Sequence, residues 1–174
     1  MDFGLLALRV VVGLLFAGHG AQKLFGAFGG HGIDGTAGFF EQIGLRPGRL
    51  HARAAGSAEF FGGLLIAAGL VTPFAAAALI GVMTAAIITV HAKNGPWVGD
   101  NGFEYNLVLS AVAVALAGVG PGQWSLDNAF GLNLASTGWA LAALVAGIAG
   151  GLGAVAQGRA YKAHSHDATT ANAA

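Results

Sequence analysis

The chain has 174 residues, a formal net charge of zero and 9% charged residues, against about 25% in a typical soluble domain. Because 55% of its residues are hydrophobic, it has too few polar groups to cover a water-exposed surface, and we expect an integral membrane protein. It contains no cysteine and no basic run, which excludes disulfides, thiol-relay chemistry carried by this chain and nucleic acid as a partner.

Five apolar stretches approach the roughly 20 residues that a helix needs to cross a bilayer. They are residues 5–25, 54–71, 74–91, 103–119 and 134–155. Between the second and third stretches, Thr72 is expected to be the N-cap of a helix that has Pro73 at its first position. In the last stretch, Gly147 and Gly151 form a G-x-x-x-G pair, which allows close packing of helices. The pattern predicts an all-α membrane helical bundle.

The first loop, residues 26–51, is the only long one near the membrane, and residues 36–43 within it are expected to form a short interfacial helix. Lysine and arginine residues favour the cytoplasmic side of a membrane. Loop one carries Arg46, Arg49 and Arg53, and the third loop and the tail are also basic. We therefore expect these parts to face the cytoplasm from a bacterial inner membrane. With only four spans, the tail would lie on the other side.

Polar side chains recur at one level of the predicted bundle, near the segment ends that meet loop one. A charged side chain facing lipid costs roughly 2.5–3.5 kcal/mol, so these groups are expected to face one another. We expect Glu59 to pair with Lys23 or with His19 across the first two segments. Arg9 lies nearer the opposite surface, which we expect it to reach along its aliphatic stem. The layer comprises His19, Gln22, Lys23, Glu59, His91, Glu104 and Tyr105.

This layer predicts a small polar pocket for a quinone or a similar ligand. His19 and Glu59 would transfer protons as the catalytic residues, while Gln22 and Lys23 would bind carbonyl oxygens. The other expected ligand-binding residues are His91, Glu104 and Tyr105. The competing interpretation is a buried salt bridge that fixes the register of the helices and has no chemistry of its own.

Haem is a less favoured ligand. His19 and His91 lie at similar depths and could serve as axial ligands, but two histidines on non-adjacent segments are a weak signal. The letters from Gly30 to Gly35 match G-x-G-x-x-G, yet no strand precedes them, so they do not indicate a nucleotide site. No cofactor motif is visible and no metal site is predicted.

The residues around the polar layer resemble the signature of the DoxX family of small bacterial membrane proteins. The likeness covers residues 5–130 and lies in the run Gly18 to Gly26 (GHGAQKLFG), Glu59 with Gly62-Gly63, Gly69-Leu70, His91, Gly120-Pro121-Gly122 and Ser125-Leu126-Asp127. The resemblance implies a four-helix membrane domain over residues 1–130. Residues 131–158 would then be an additional membrane helix, and residues 159–174 a disordered polar tail.

The resemblance also implies redox work, because the family's relatives include the small membrane subunit of thiosulfate:quinone oxidoreductase. Other members are tied to membrane thiol and oxidative-stress defence together with soluble partner enzymes. We therefore expect a membrane subunit or anchor of a redox system linked to the quinone pool. If the chain is an enzyme at all, it is an oxidoreductase subunit acting with a soluble or membrane partner. A small-molecule transporter, a structural anchor without chemistry and a homo-oligomer remain open.

Overall fold

The computed structural model describes residues 2–171, with side chains through Tyr161, and all the regular structure in this range is helical. A π-helical turn, Ile87–His91, prolongs α4 and is followed by a 3-10 turn, Ala92–Asn94. The α-helices are α1 Asp2–Phe25, α2 Gly32–Gln42, α3 Gly48–Ala68, α4 Thr72–Ala86, α5 Glu104–Val119, α6 Leu126–Ala129 and α7 Thr137–Ala171. The predicted class, an all-α membrane helical bundle, is confirmed.

Helix α4 lies at the centre of the bundle, in contact with α3, α5 and α7, while α1 packs on α3 and α2 lies against α3 and α1. By length and hydropathy, three of the described helices can cross a membrane: Asp2–Phe25, Thr72–Asn94 and Thr137–Tyr161. Helix α5 is apolar but has 16 residues, about 24 Å. Helix α3 is more polar, and its contacts with α1 and α4 hold it inside the same bundle.

Close packing of α1 on α3 depends on glycines at the crossing. A Cβ atom added to Gly20 would lie 2.3 Å from the backbone nitrogen of Phe60, and one added to Gly63 would lie 2.4 Å from the carbonyl oxygen of Gly13. No side chain fits in that space, so the two backbones touch directly. This approach brings the end of α1 against the middle of α3, where the candidate site lies.

The G-x-x-x-G pair of α7 has the packing role that the sequence predicts. A Cβ atom on Gly147 would lie 2.6 Å from the Cβ atom of Ile80, and one on Gly151 would lie 2.6 Å from the carbonyl oxygen of Gly81. Since both glycines meet α4 in the same chain order, α7 runs parallel to α4. Small residues thus seat α7 directly on the central helix.

Helix α7 continues where the sequence predicts a disordered tail from residue 159. The helix extends to Ala171, and residues 172–174 lie outside the described part. The segment after residue 155 is rich in alanine and has no proline, which favours continuation of the helix. A Cβ atom on Gly158 would lie 2.8 Å from the carbonyl oxygen of Gly44, so this part of α7 reaches loop one.

At the end of the bundle remote from loop one, Arg9 makes polar contacts that connect three parts of the chain. Arg9 does not extend to the surface as predicted: it is 2% exposed and donates hydrogen bonds to the carbonyl oxygens of Ala67 and Trp124. Ala67 is in the last turn of α3, where carbonyl groups lack helical partners and a positive charge is favourable. Arg9 thus ties α1 to the end of α3 and to the loop after α5.

At this same Arg9 end, the capping of α4 differs from the sequence prediction. Val71 is at the N-cap position with φ 43°, and Thr72 is already inside the helix. Asp127 of α6 accepts hydrogen bonds from the backbone nitrogens of Val71 (2.7 Å) and Thr72 (3.1 Å) and from Thr72 Oγ1 (2.7 Å). The cap is therefore supplied by a carboxylate distant in sequence, which also suits the helix dipole.

Candidate functional site

The centre of the candidate site is an ion pair between α1 and α3. Lys23 Nζ lies 2.5 Å from Glu59 Oε2, with the side chains 24% and 4% exposed respectively. The sequence prediction that Glu59 is paired is confirmed, with Lys23 as the partner. Because Glu59 is almost fully buried, its charge depends on the ammonium group of Lys23 for compensation.

A cavity of about 590 Å³ lies beside this ion pair, between α2, α3, α4 and α7. Its polar lining groups are Lys23, His51, Glu59, Thr89 and His91. The wall formed by α7 contains only small residues: Ala146, Gly147, Gly150, Gly151 and Ala154. The cavity is therefore mostly apolar, with a few polar side chains among its lining residues, which suits a ligand that has an apolar body and a few hydrogen-bonding groups.

His51 is the cavity residue that the sequence analysis missed. It is 7% exposed, it lines the cavity, and its Nε2 atom is buried with no hydrogen-bond partner among the described residues. Helix α3 begins at Gly48, whereas the apolar pattern predicts a start at residue 54 and places His51 in loop one. Pro47, which precedes the first helical residue, is the signal that could have placed the start correctly.

The π-helical turn at the end of α4 brings its last residues to the cavity. Thr89, Val90 and His91 line the cavity, and Thr89 Oγ1 donates to the carbonyl oxygen of Ala85 at 2.8 Å. His91 Nδ1 lies 2.8 Å from the carbonyl oxygen of Asn101, which fixes the ring against the following loop. Such turns are rare and are frequent at functional sites. The predicted participation of His91 is consistent with this position.

Two predicted residues on α1, His19 and Gln22, lie outside this cavity. His19 is exposed, and its Nδ1 atom lies 3.1 Å from Gln22 Oε1. Gln22 Nε2 donates to the carbonyl oxygen of Phe28 at 3.2 Å, so the amide ties α1 to loop one. His19 therefore does not line the cavity, although it lies close enough to Glu59 for the two charges to interact. Its role in proton transfer stays a prediction.

The two predicted residues of α5 also lie apart from the ion pair. Glu104 Oε2 accepts a hydrogen bond from the backbone nitrogen of Val98 at 2.9 Å, and Tyr105 is 43% exposed. Neither residue lines a described cavity. Helix α5 packs on α4 and α7, whereas the ion pair lies between α1 and α3. Equal depth along the bundle therefore does not bring these residues together.

A second, smaller cavity of about 280 Å³ lies on the other side of α2. It is bounded by α1, loop one and α2, with Gln22, His31 and Thr36 among its polar groups. Lys23, Phe39 and Phe40 line both cavities. These three residues thus lie between the two cavities.

Comparison with known proteins places these features in a family. The family model named DoxX matches residues 4–92, more than half of the chain, and this stretch includes Lys23, His51, Glu59 and His91. The chain belongs to the DoxX family. The matched stretch covers α1 to α4 of this DoxX protein, and α7, which forms one wall of the cavity, lies beyond it.

Two curated relatives extend the comparison. The chain is 36% identical over 117 residues to "Putative oxidoreductase CatD" of Bacillus subtilis (strain 168), covering 67% of this chain and 81% of the relative. It is 30% identical over 133 residues to "Uncharacterized membrane protein Rv3486" of Mycobacterium tuberculosis (strain ATCC 25618 / H37Rv), covering 71% and 78%. No solved structure gives a significant match.

Proposed function

We propose that this DoxX protein is the membrane subunit or anchor of a redox system and exchanges electrons with the quinone pool through an oxidoreductase partner. The observation that carries the proposal is the cavity in which the Lys23–Glu59 ion pair faces small apolar walls. The printed name of the Bacillus subtilis relative supports a redox role. The expected location is a bacterial inner membrane, with loops one and three on the cytoplasmic side.

A quinone has groups that match both the polar and the apolar residues of the larger cavity. Its ring and tail are apolar, and its carbonyl oxygens accept hydrogen bonds, which an ammonium group donates well. Reduction of a quinone to a quinol adds two electrons and two protons. In our proposal Lys23 binds a carbonyl oxygen, Glu59 exchanges one proton with the ligand and water exchanges the second. The partner supplies or removes the two electrons, since this chain has no cysteine to carry them.

The test is whether the purified protein holds a quinone at this cavity. We expect solvent extraction to release a quinone, and a decyl-substituted benzoquinone added to quinone-free protein to raise its Tm, because ligands of the native state stabilise it. The Lys23→Met variant should show a smaller rise at the same concentration. Absence of extracted quinone together with an unchanged Tm would contradict the proposal.

A second candidate is a small-molecule transporter, favoured by the two cavities that share Lys23, Phe39 and Phe40. In that case the aromatic rings of α2 would separate an outer space from an inner one. Flux of a quinone-unrelated solute into proteoliposomes, reduced by Lys23→Met, would support transport. A protein that binds no ligand and moves no solute, yet still retains a partner oxidoreductase at the membrane, would be a structural anchor.

A further inference from the structure

We propose that His51 is a second binding residue of the larger cavity and hydrogen-bonds the end of the ligand that is remote from Lys23 and Glu59. The inference rests on the proposed function in taking the ligand to be a quinone. Neither the sequence pattern nor the family comparison points to His51. The assignment comes from its burial, its unpaired nitrogen and its place on the cavity wall.

The imidazole of His51 has a buried nitrogen without a hydrogen-bond partner within the described residues 2–171. Buried polar atoms almost always have hydrogen-bond partners, and one without a partner is costly to keep. His51 is 7% exposed, and its Nε2 atom is buried with no hydrogen-bond partner in the described part of the chain. The side chain lines the cavity, so a rotation of the ring that uncovers Nε2 would bring this nitrogen to a ligand there as the missing partner.

The spacing of His51 and Glu59 along α3 allows one ligand to contact both residues. His51 and Glu59 are eight residues apart on one helix, which separates them by about 12 Å along its axis. Both line the same cavity. A ligand that engages both therefore carries a hydrogen-bonding group at each end of a compact body. A para-quinone has this form, with one carbonyl oxygen on each side of the ring.

An imidazole can form a hydrogen bond with both the quinone and the quinol form of the ligand. A neutral imidazole nitrogen can accept a hydrogen bond or donate one, depending on the tautomer. His51 can therefore donate to the carbonyl oxygen of a quinone and accept from the hydroxyl group of a quinol. A phenylalanine ring of similar shape can do neither. A glutamine places a donor and an acceptor at the end of a side chain of similar reach.

The experiment compares His51→Phe and His51→Gln with the natural chain, using a decyl-substituted benzoquinone as the probe. We expect His51→Phe to weaken binding about tenfold or more, the usual effect of losing a buried hydrogen bond. His51→Gln should stay within about threefold of the natural chain. Without the probe, His51→Phe should keep or raise the Tm, because it removes a buried unpaired nitrogen.

The outcomes separate this inference from the function on which it rests. If the natural chain binds the probe and His51→Phe binds it equally well, His51 is not a binding residue and the quinone proposal stands. If both variants lose binding and their ligand-free Tm falls, the role of His51 is structural and the inference is wrong. If the natural chain does not bind the probe, the proposed function fails and this inference fails with it.

Discussion

Glu59 and Lys23 differ in exposure, and this difference decides how each substitution acts. Glu59 is 4% exposed and sits in the middle of α3, whereas Lys23 is 24% exposed at the end of α1. When Lys23 is removed, a carboxylate is left in the interior of the bundle. When Glu59 is removed, the ammonium group can still move toward the membrane surface on its flexible stem.

We predict that Lys23→Met destabilises the protein by about 3 kcal/mol and that Glu59→Gln costs less, because only the former strands a buried charge. The double variant should lose less than the sum of the two single losses. Chemical unfolding in detergent measures all three. The control is Asp34→Asn, which breaks the exposed Arg49–Asp34 pair (2.6 Å, side chains 64% and 77% exposed) and should cost less than about 1 kcal/mol. Additive losses would show that Lys23 and Glu59 are not energetically coupled.

Single residues also show what the sequence could and could not predict about the site. The pairing of Glu59 was predictable, because an unpaired charge is too costly in a membrane and Lys23 lies at the same depth. Depth can be read from position in a helix, but the order of helices around the bundle cannot. Glu104 and Tyr105 therefore share the level of the ion pair without joining it, since α5 packs on α4 and α7.

Helix α7 completes the cavity. Its glycines differ in whether an added side chain would meet α4 or open space. Gly150 lines the cavity, and a Cβ atom there would meet no atom within 4 Å. Gly153 also has open space around a Cβ atom but does not line the cavity. Gly147, by contrast, is closed off by Ile80. A larger side chain at Gly150 can therefore extend into the cavity without disturbing the contact of α7 with α4.

We predict that Gly150→Leu weakens binding of the decyl-substituted benzoquinone about tenfold or more and does not lower the Tm of the ligand-free protein. The added side chain occupies space that the ligand needs, while replacing a helical glycine is favourable by up to about 1 kcal/mol. Gly153→Leu is the matched control and should leave binding unchanged. Equal binding by the Gly150 variant would mean that the ligand does not lie against α7.

The elements themselves were predictable to different degrees, for physical reasons. The apolar lengths of α1, α4 and α5 and the proline in the first turn of α4 limited their positions to within a few residues. The sequence predicts too late a start for α3 because His51 and Arg53 look like loop residues, whereas in the helix His51 is buried and Arg53 is exposed. The capping of α4 by Asp127 depends on a contact across the fold, which no local pattern contains.

At the scale of the whole molecule, the two ends of the bundle differ in where their charged residues lie: at the loop-one end there are several arginines, and at the other end the charged groups Arg9 and Asp127 are buried. Loop one and the part of α7 near Gly158 are in contact, and Arg46, Arg49 and Arg53 lie at this end. The opposite end is held by buried groups, with Arg9 and Asp127 bonded to backbone atoms of neighbouring elements. Basic residues at the loop-one end favour its retention in the cytoplasm. We therefore predict that the loop-one end faces the cytoplasm and the Arg9 end faces the other side of the membrane.

The absence of cysteine from the chain makes this orientation directly testable. Phe28→Cys in loop one and Tyr161→Cys on α7 should react with a membrane-impermeant maleimide only from the cytoplasmic side, and Phe130→Cys only from the other side; these positions are 79%, 51% and 66% exposed. The unsubstituted chain, which should not react at all, is the control. Opposite reactivity of the Phe28 and Tyr161 variants would mean that α7 does not cross the membrane. Because α7 runs parallel to α4 and supplies a wall of the cavity, that result would also remove the structural basis of the ligand site.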